Sequence, residues 1–159
     1  MVVATIPIKS AVFLFSLILF SCQNQINISE NELINGQDIQ KYIRSNEFSG
    51  TISVMYNNDI TLKSKRKYKK GKKNGQHEGW WPNGQKKYSF IFKNDMSEGE
   101  HFQWHQNGTL FTHKKFKNGL EDGEQKAWDT KGDLMYKYIY NEGRKYGIQG
   151  SVICNGGKD

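Results

Sequence analysis

Bulky and glycine positions recur along this chain at a fixed step of 24 residues. Tyr68, Phe92, Phe116 and Tyr140 hold one register, and Gly75, Gly99, Gly123 and Gly147 hold a second. Trp80, Trp104 and Trp128 keep the same step, as do Gly84, Gly108 and Gly132, while Gly71, Asp95, Gly119 and Gly143 fill another. A period of this length marks a repeat architecture in which each unit buries its face only against its neighbours. Within a unit, the run from Gly75 to Trp81 leads into Pro82-Asn83-Gly84, and Gln85 to Phe92 leads out. Asn-Gly between two such runs is a strong hairpin signal, in which both central residues are expected at positive φ. Gln106-Asn107-Gly108 repeats the turn and Thr130-Lys131-Gly132 is a weaker copy. The pattern predicts an all-β fold, a single-layer antiparallel meander with two strands per period.

Strand alternation sorts the side chains. Tyr88, Phe90 and Phe92 share one face with Tyr136, Tyr138 and Tyr140. Counting back through the turns places Gly75, Gly99 and Gly123 opposite the aromatic that ends each hairpin, where a ring could cover the glycine. Trp80, Trp104 and Trp128 are expected to form a ladder on the opposite face, with Phe102, Phe111, Met135, Ile91 and Ile139 around them. A single hairpin would not be stable alone, and stacking supplies the rest.

The units divide the chain. Residues 68–147 hold the repeats, 48–67 read as a degenerate hairpin capping the array, and 148–159 supply a terminal strand (Ile148 to Cys154) and tail. Residues 22–47 are polar and read as a tether, with a short helix around Asp38 to Arg44. Residues 1–21 differ: Lys9 is the only charge, and Ala11 to Phe20 is apolar except for Ser16. A basic start, a short apolar run and a small residue before a polar break describe a secretory signal. The run is about half the length of a spanning helix. Leu19-Phe20-Ser21-Cys22 resembles a bacterial lipobox, which implies lipidation of Cys22 and a membrane-anchored lipoprotein facing the periplasm or cell surface. The alternative is an ordinary signal in which Cys22 only ends the run, and either way the chain is expected to be exported. Cys154 then has no intrachain partner and reads as a structural cysteine.

Composition sharpens this picture in two places. Fifteen of the apolar residues lie within residues 1–21, so the remainder is too lean in them for a two-layer core. The net charge of +7 is also local, because Lys63 to Lys73 carries eight basic residues and no acid. Those residues are Lys63, Lys65, Arg66, Lys67, Lys69, Lys70, Lys72 and Lys73. With aromatics nearby, such a run could suit single-stranded nucleic acid, but an exported chain rarely meets it. Two readings stay open: attraction to an anionic membrane surface, at about 1 kcal/mol per residue, or charge that blocks pairing at an edge strand.

The Gly…Trp…Asn-Gly…aromatic…Gly pattern from Tyr68 to about Gly150 resembles the MORN-variant repeat of YwqK-type bacterial antitoxin-like proteins. The resemblance implies a β-hairpin array with no cofactor, associated in relatives with protein contacts, membrane contacts and toxin–antitoxin pairs. The lipoprotein-like signal departs from a cytoplasmic antitoxin. The chain is therefore expected to be a non-enzymatic binding scaffold with a membrane and a protein as partners, or alternatively an antitoxin or immunity component.

Other chemistry finds little support in the spacing. His77, His101 and His105 fall on one expected face and His113 on the other, as surface residues roughly 10 Å or more apart. Metal bonds of about 2 Å need closer convergence, so no metal is expected. Glu98, Glu100, Glu121, Asp122 and Glu124 cluster near hairpin bases, but paired carboxylates need a cleft to catalyse hydrolysis. Tyr88, Phe90, Tyr136 and Tyr138 would suit stacking on a sugar or packing on a protein, beyond their part in the array.

Overall fold

Turn chemistry sets the architecture. In the computed structural model, which describes residues 24–29, 36–57 and 60–148, the Trp81 carbonyl accepts from the Gly84 amide at 2.9 Å, and the Trp81 amide donates to the Gln85 carbonyl at 2.8 Å. Gly84 takes positive φ (83°) and Asn83 does not. This is a three-residue type I turn closed by a glycine bulge, not the two-residue turn expected from Asn-Gly. Pro82, whose ring fixes φ near −65°, suits the first central position of a type I turn. Gln106 and Thr130 hold that position in turns closed by the same bonds, and what all three share is a glycine at positive φ in third place. Asn83 then accepts the Gln85 amide on Oδ1 at 3.1 Å. Asn107 does the same for Thr109 at 3.0 Å.

The pairs with two positive φ values sit on the connections between those hairpins. They are Lys70-Gly71, Asn94-Asp95, Asn118-Gly119 and Glu142-Gly143. Each connection is itself a tight hairpin turn, so strands follow one another without a break.

The result is an open sheet of 11 strands, mostly antiparallel. β1 (Asn24–Ser29) pairs parallel with β2 (Gly50–Met55), and β3 (Leu62–Lys69), β4 (Lys72–Trp80) and β5 (Lys86–Lys93) follow antiparallel. The short β6 (Met96–Ser97) and then β7 (Gly99–Trp104) both pair with β5. β8 (Leu110–Lys117), β9 (Leu120–Trp128), β10 (Leu134–Asn141) and β11 (Arg144–Ile148) complete the order. One helix, α1 (Gly36–Ser45), lies between β1 and β2 in sequence.

The described residues of the 22–47 segment, 24–29 and 36–47, hold a strand and a helix packed into the fold. The expected helix is present, but the parallel strand before it was not anticipated. Ile26 and Ile28 of β1 and Ile39 of α1 pack against Ile43, Phe48, Ile52, Val54 and Tyr68, the main buried apolar cluster of the described residues. The capping hairpin expected at 48–67 is β2–β3, and it carries that cluster. Cys22, the signal-like segment and the terminal strand beyond Ile148 lie outside the described residues.

Gly75, Gly99 and Gly123 pair with Phe92, Phe116 and Tyr140, in the register expected from the sequence. The rings do not cover them. Each glycine centres a bulge in which three residues oppose one. Lys67 faces the stretch 74–76, because Arg66 pairs with His77 and Tyr68 with Lys73. Lys115 faces 122–124 in the same way. Positive φ at Gly75 (86°) turns the strand there, and the space beside it is filled by Lys67, 3.3 Å from where a Cβ would sit. The glycine that a ring does cover is Gly79, where a Cβ would lie 2.1 Å from Cε1 of Tyr88.

A second set of hydrogen bonds ties neighbouring units at the turns. Tyr56 Oη donates to the Trp80 carbonyl (2.9 Å), Trp81 Nε1 to that of Trp104 (3.1 Å) and His105 Nε2 to that of Trp128 (3.0 Å). Among the described residues the three indoles make no ring contact with one another, so the expected ladder runs through their carbonyls. Trp80 is covered by Lys86 Nζ at 5.2 Å and Trp104 by Phe102 at 5.8 Å. Asn83 Nδ2 donates to Gln106 O at 3.0 Å, and Asn107 Nδ2 to Thr130 O at 2.8 Å. Asn107→Ala removes both the turn bond and the bond to the next unit. It is expected to lower stability by about 1–2 kcal/mol in chemical denaturation, from two exposed bonds at the low end of their usual worth.

Candidate functional site

The basic stretch is divided by strand alternation. Ser64 and Arg66 pair with Gly79 and His77, on the aromatic side of the sheet. Arg66 is half-buried there; burial disfavours its charge, and side-chain hydrogen bonds to Tyr88 and Tyr68 more than offset that. Lys73 also leaves the patch, with Nζ 5.0 Å from the centroid of Phe92. Lys63 sits 5.4 Å above the ring of Tyr56. The expected eight-residue surface is thus reduced to Lys65, Lys67, Lys69, Lys70 and Lys72, all exposed and none in an ion pair among the described residues.

Lys69, Lys70 and Lys72 are joined by a lysine from the next period, Lys93. The four line a cleft of about 670 Å³ between successive hairpin tips, with Ile91, Phe92 and the backbone of Gly75 also in its wall. Asn74 Nδ2 to Asn94 Oδ1 (3.3 Å) and the Lys73 amide to Asp95 Oδ1 (2.8 Å) tie the two tips together. Lys93 was missed in the sequence because it lies outside the run. The 24-residue step from Lys69 was the signal that would have found it.

Every acid considered for catalysis is engaged. Glu100 is bonded first by Lys115 and lies near His113, which holds its carboxyl below the usual range. Lys126 and then Lys137 hold Glu124 down to about 2. Glu121 pairs with Lys114 at 3.2 Å. Glu98 and Asp122 accept the amides of Asn118 (2.9 Å) and Glu142 (3.3 Å), and so fasten hairpin tips.

The histidines depart from the surface role expected of them. His77 is 4% exposed and His101 6%. His77 Nε2 donates to the Lys67 carbonyl at 2.6 Å, and His101 Nε2 to that of Ile91 at 2.8 Å. Since a carbonyl only accepts, both rings carry their proton on Nε2. Gln125, one further period along, donates Nε2 to Lys115 O at 2.8 Å. Each side chain thus satisfies the carbonyl of the residue that faces a bulge. Burial first, with Arg66 and Lys73 adding to it, pushes His77 down to about 4, and burial lowers His101 as well. Among the described residues no three potential metal ligands converge.

On the aromatic side a chain of ring contacts runs from Phe48 and Tyr68 through His77 to Phe116, and Tyr136 and Tyr138 form a separate pair. His77 meets Phe92 at 4.8 Å, Phe90 stacks on His101 at 4.8 Å, and His101 meets Phe116 at 4.6 Å. Tyr88 stacks on Phe90 and Tyr136 on Tyr138, at 4.9 and 5.0 Å. Tyr88, Phe90, Phe92, Phe116, Tyr136 and Tyr138 are half-buried, and the two histidine rings, like Phe48 and Tyr68, are buried, packed across a single layer. No family model matches this chain, and no curated protein and no solved structure matches it either.

Proposed function

We propose that this chain is a non-enzymatic, lipid-anchored envelope protein, built of MORN-variant-like repeats, that works as a binding scaffold at a membrane. The observation that carries this reading is where the unpaired lysines lie relative to the start of β1. β1 begins two residues after Cys22, and Asn24 pairs with Gly50, which pairs with Tyr68. Adjacent strands are about 4.8 Å apart, so an acyl chain on Cys22 would hold Lys67 and Lys69 close to the lipid surface. The lysines would then orient the sheet, leaving the later repeats and their aromatic side free for a protein partner.

The test uses the full chain carrying Cys22→Ala. In cells, after a high-salt wash that releases chains held by lysine alone, this variant is expected to leave the membrane fraction, and retention would contradict lipidation. In vitro the same chain is expected to bind vesicles of phosphatidylcholine with phosphatidylglycerol. Changing Lys65, Lys67, Lys69 and Lys72 to Gln should weaken that binding by about two orders of magnitude or more, at roughly 1 kcal/mol per lysine near the surface. Unchanged binding would end the membrane role of the patch. The open aromatic side also favours a second reading, in which the chain neutralises a protein partner by covering it. That reading needs a toxin gene beside this one and rescue on co-expression.

A further inference from the structure

The geometry points to a phosphate-class oxyanion site in the cleft between the first two repeat hairpin tips, formed by Lys69, Lys70, Lys72 and Lys93. The inference rests on the same basic end of the sheet as the membrane reading, but it names a discrete site where that reading needs only a diffuse surface.

The repeat itself provides the comparison. One period on, the positions of Lys69, Lys70, Lys72 and Lys93 are held by Lys93, Asn94, Met96 and Lys117. Two periods on they are Lys117, Asn118, Leu120 and Asn141. The hairpin tips are built alike in all three, with a pair of positive-φ residues and a backbone bond from each tip to the strand before it. The architecture therefore does not require lysine at these positions, and only the first cleft gathers four.

Those four ammonium groups have no ion-pair partner among the described residues. The one carboxylate in the wall, Glu98, has an oxygen turned to the Asn118 amide at the next tip. Like charges gathered around one concavity repel, and a multivalent anion relieves that repulsion while accepting several charge-assisted bonds. The wall also exposes Ile91, 41% accessible. A phosphate attached to a less polar group could lie with its charge on the lysines and its remainder along Ile91. A lipid headgroup and a soluble phosphate ester share this chemistry.

The test is calorimetric titration of inorganic tripolyphosphate into the full Cys22→Ala chain in a neutral detergent, run beside the phosphatidylglycerol vesicle assay. One saturable site per chain is expected. Lys70→Gln with Lys93→Gln should weaken it by about 30-fold, from two lysines at a phosphate surface. Lys117→Gln with Lys131→Gln, which removes the same charge elsewhere, should leave it intact. Equal weakening by both pairs, or no saturable binding, overturns the site, and vesicle binding that persists then leaves the membrane reading standing. If the cleft pair loses both tripolyphosphate and vesicles, the phosphate comes from a headgroup. If it loses tripolyphosphate alone, the site stands and takes a soluble ester. Both pairs lie on exposed turns and strand ends, and unchanged thermal melting verifies that they fold.

Discussion

Lowering the pH from 6.5 to 4 is expected to remove up to about 3 kcal/mol of stability through His77 alone, with His101 adding in the same direction. His77 is held down to about 4 in the folded chain against 6.5 when exposed. Above pH 6.5 both states are neutral there and the contribution is fully present. Between 6.5 and about 4 the unfolded chain takes up a proton that the folded chain does not, so stability falls as pH falls. Below about 4 the folded ring is protonated too and the loss levels off. Two further effects favour the neutral ring locally: Arg66 and Lys73 lie beside it, with Asp95 opposing them. A cation on the ring would not cost the Nε2 bond to Lys67 O, so the loss comes from burying charge and not from breaking the clamp. Glu124, held down to about 2, and Asp129, lowered by the amides of Asp133 and Lys131, act in the same pH direction, but only from the ordinary carboxylate value downward.

The variant that isolates the effect is His77→Gln with His101→Gln, because Gln125 performs the same task in the third repeat with a group that does not titrate. Gln125 leaves Oε1 unpaired, so this variant should be less stable at pH 7 by about 1–3 kcal/mol. Its stability should be flat between pH 6.5 and 4.5 where the parent falls. Urea unfolding across that range checks it, and an equal slope in both chains would exclude the histidines. His77→Leu, which supplies no donor, should lose a further bond to Lys67 O.

A graded loss is expected at Gly79. A Cβ there meets the ring of Tyr88 at 2.1 Å, while the backbone has ordinary φ, so the effect is one of space alone. Tyr88 cannot swing aside freely, because it stacks on Phe90 and its hydroxyl bonds Arg66. The third repeat shows what one methyl demands, since Ala127 stands opposite Tyr136 and Lys114, at the position of Arg66, is paired with Glu121 instead. Gly79→Ala should therefore cost less than Gly79→Val. The valine is expected to cost about 2–3 kcal/mol, as overpacking does, and to lower Tm by about 5–10 °C. Thermal melts measure both. Adding Tyr88→Thr, the residue type found at Thr112 opposite Gln103, should recover part of the loss. Full additivity of the two changes would show that the ring contact is not the cause.

The hairpins were legible because their determinants are local. Strand alternation and the 24-residue step fixed the pairing of Gly75, Gly99 and Gly123 with Phe92, Phe116 and Tyr140 without any tertiary information. The turn type was misread because Asn-Gly also suits a three-residue turn in which only the glycine takes positive φ, as at Gly84 and Gly108. The bulges were not legible, since three residues opposing one leaves no trace in the spacing. With them went the burial of His77 and His101, whose partners are carbonyls ten residues earlier. Ile26 and Ile28 of β1 did alternate, but their strand is completed by a parallel partner beyond the helix, and two isoleucines in a polar segment do not specify that. In the basic stretch, Lys63, Lys65 and Lys67 read as one side of a strand and Lys69, Lys70, Lys72 and Lys73 as the following turn, with Arg66 grouped among them. Pairing to β4 turned Arg66 to the aromatic side, and the turn geometry brought in Lys93.

The backbone bonds between successive strand connections repeat at the same step, from Asp95 to Lys73, from Gly119 to Ser97 and from Gly143 to Glu121. Insertion or removal of one whole 24-residue unit would therefore rejoin these donors to backbone acceptors of the same kind, while the helix-packed end and its lysines stay single. A sheet built this way can change its length, measured from the helix-packed end, without altering that end.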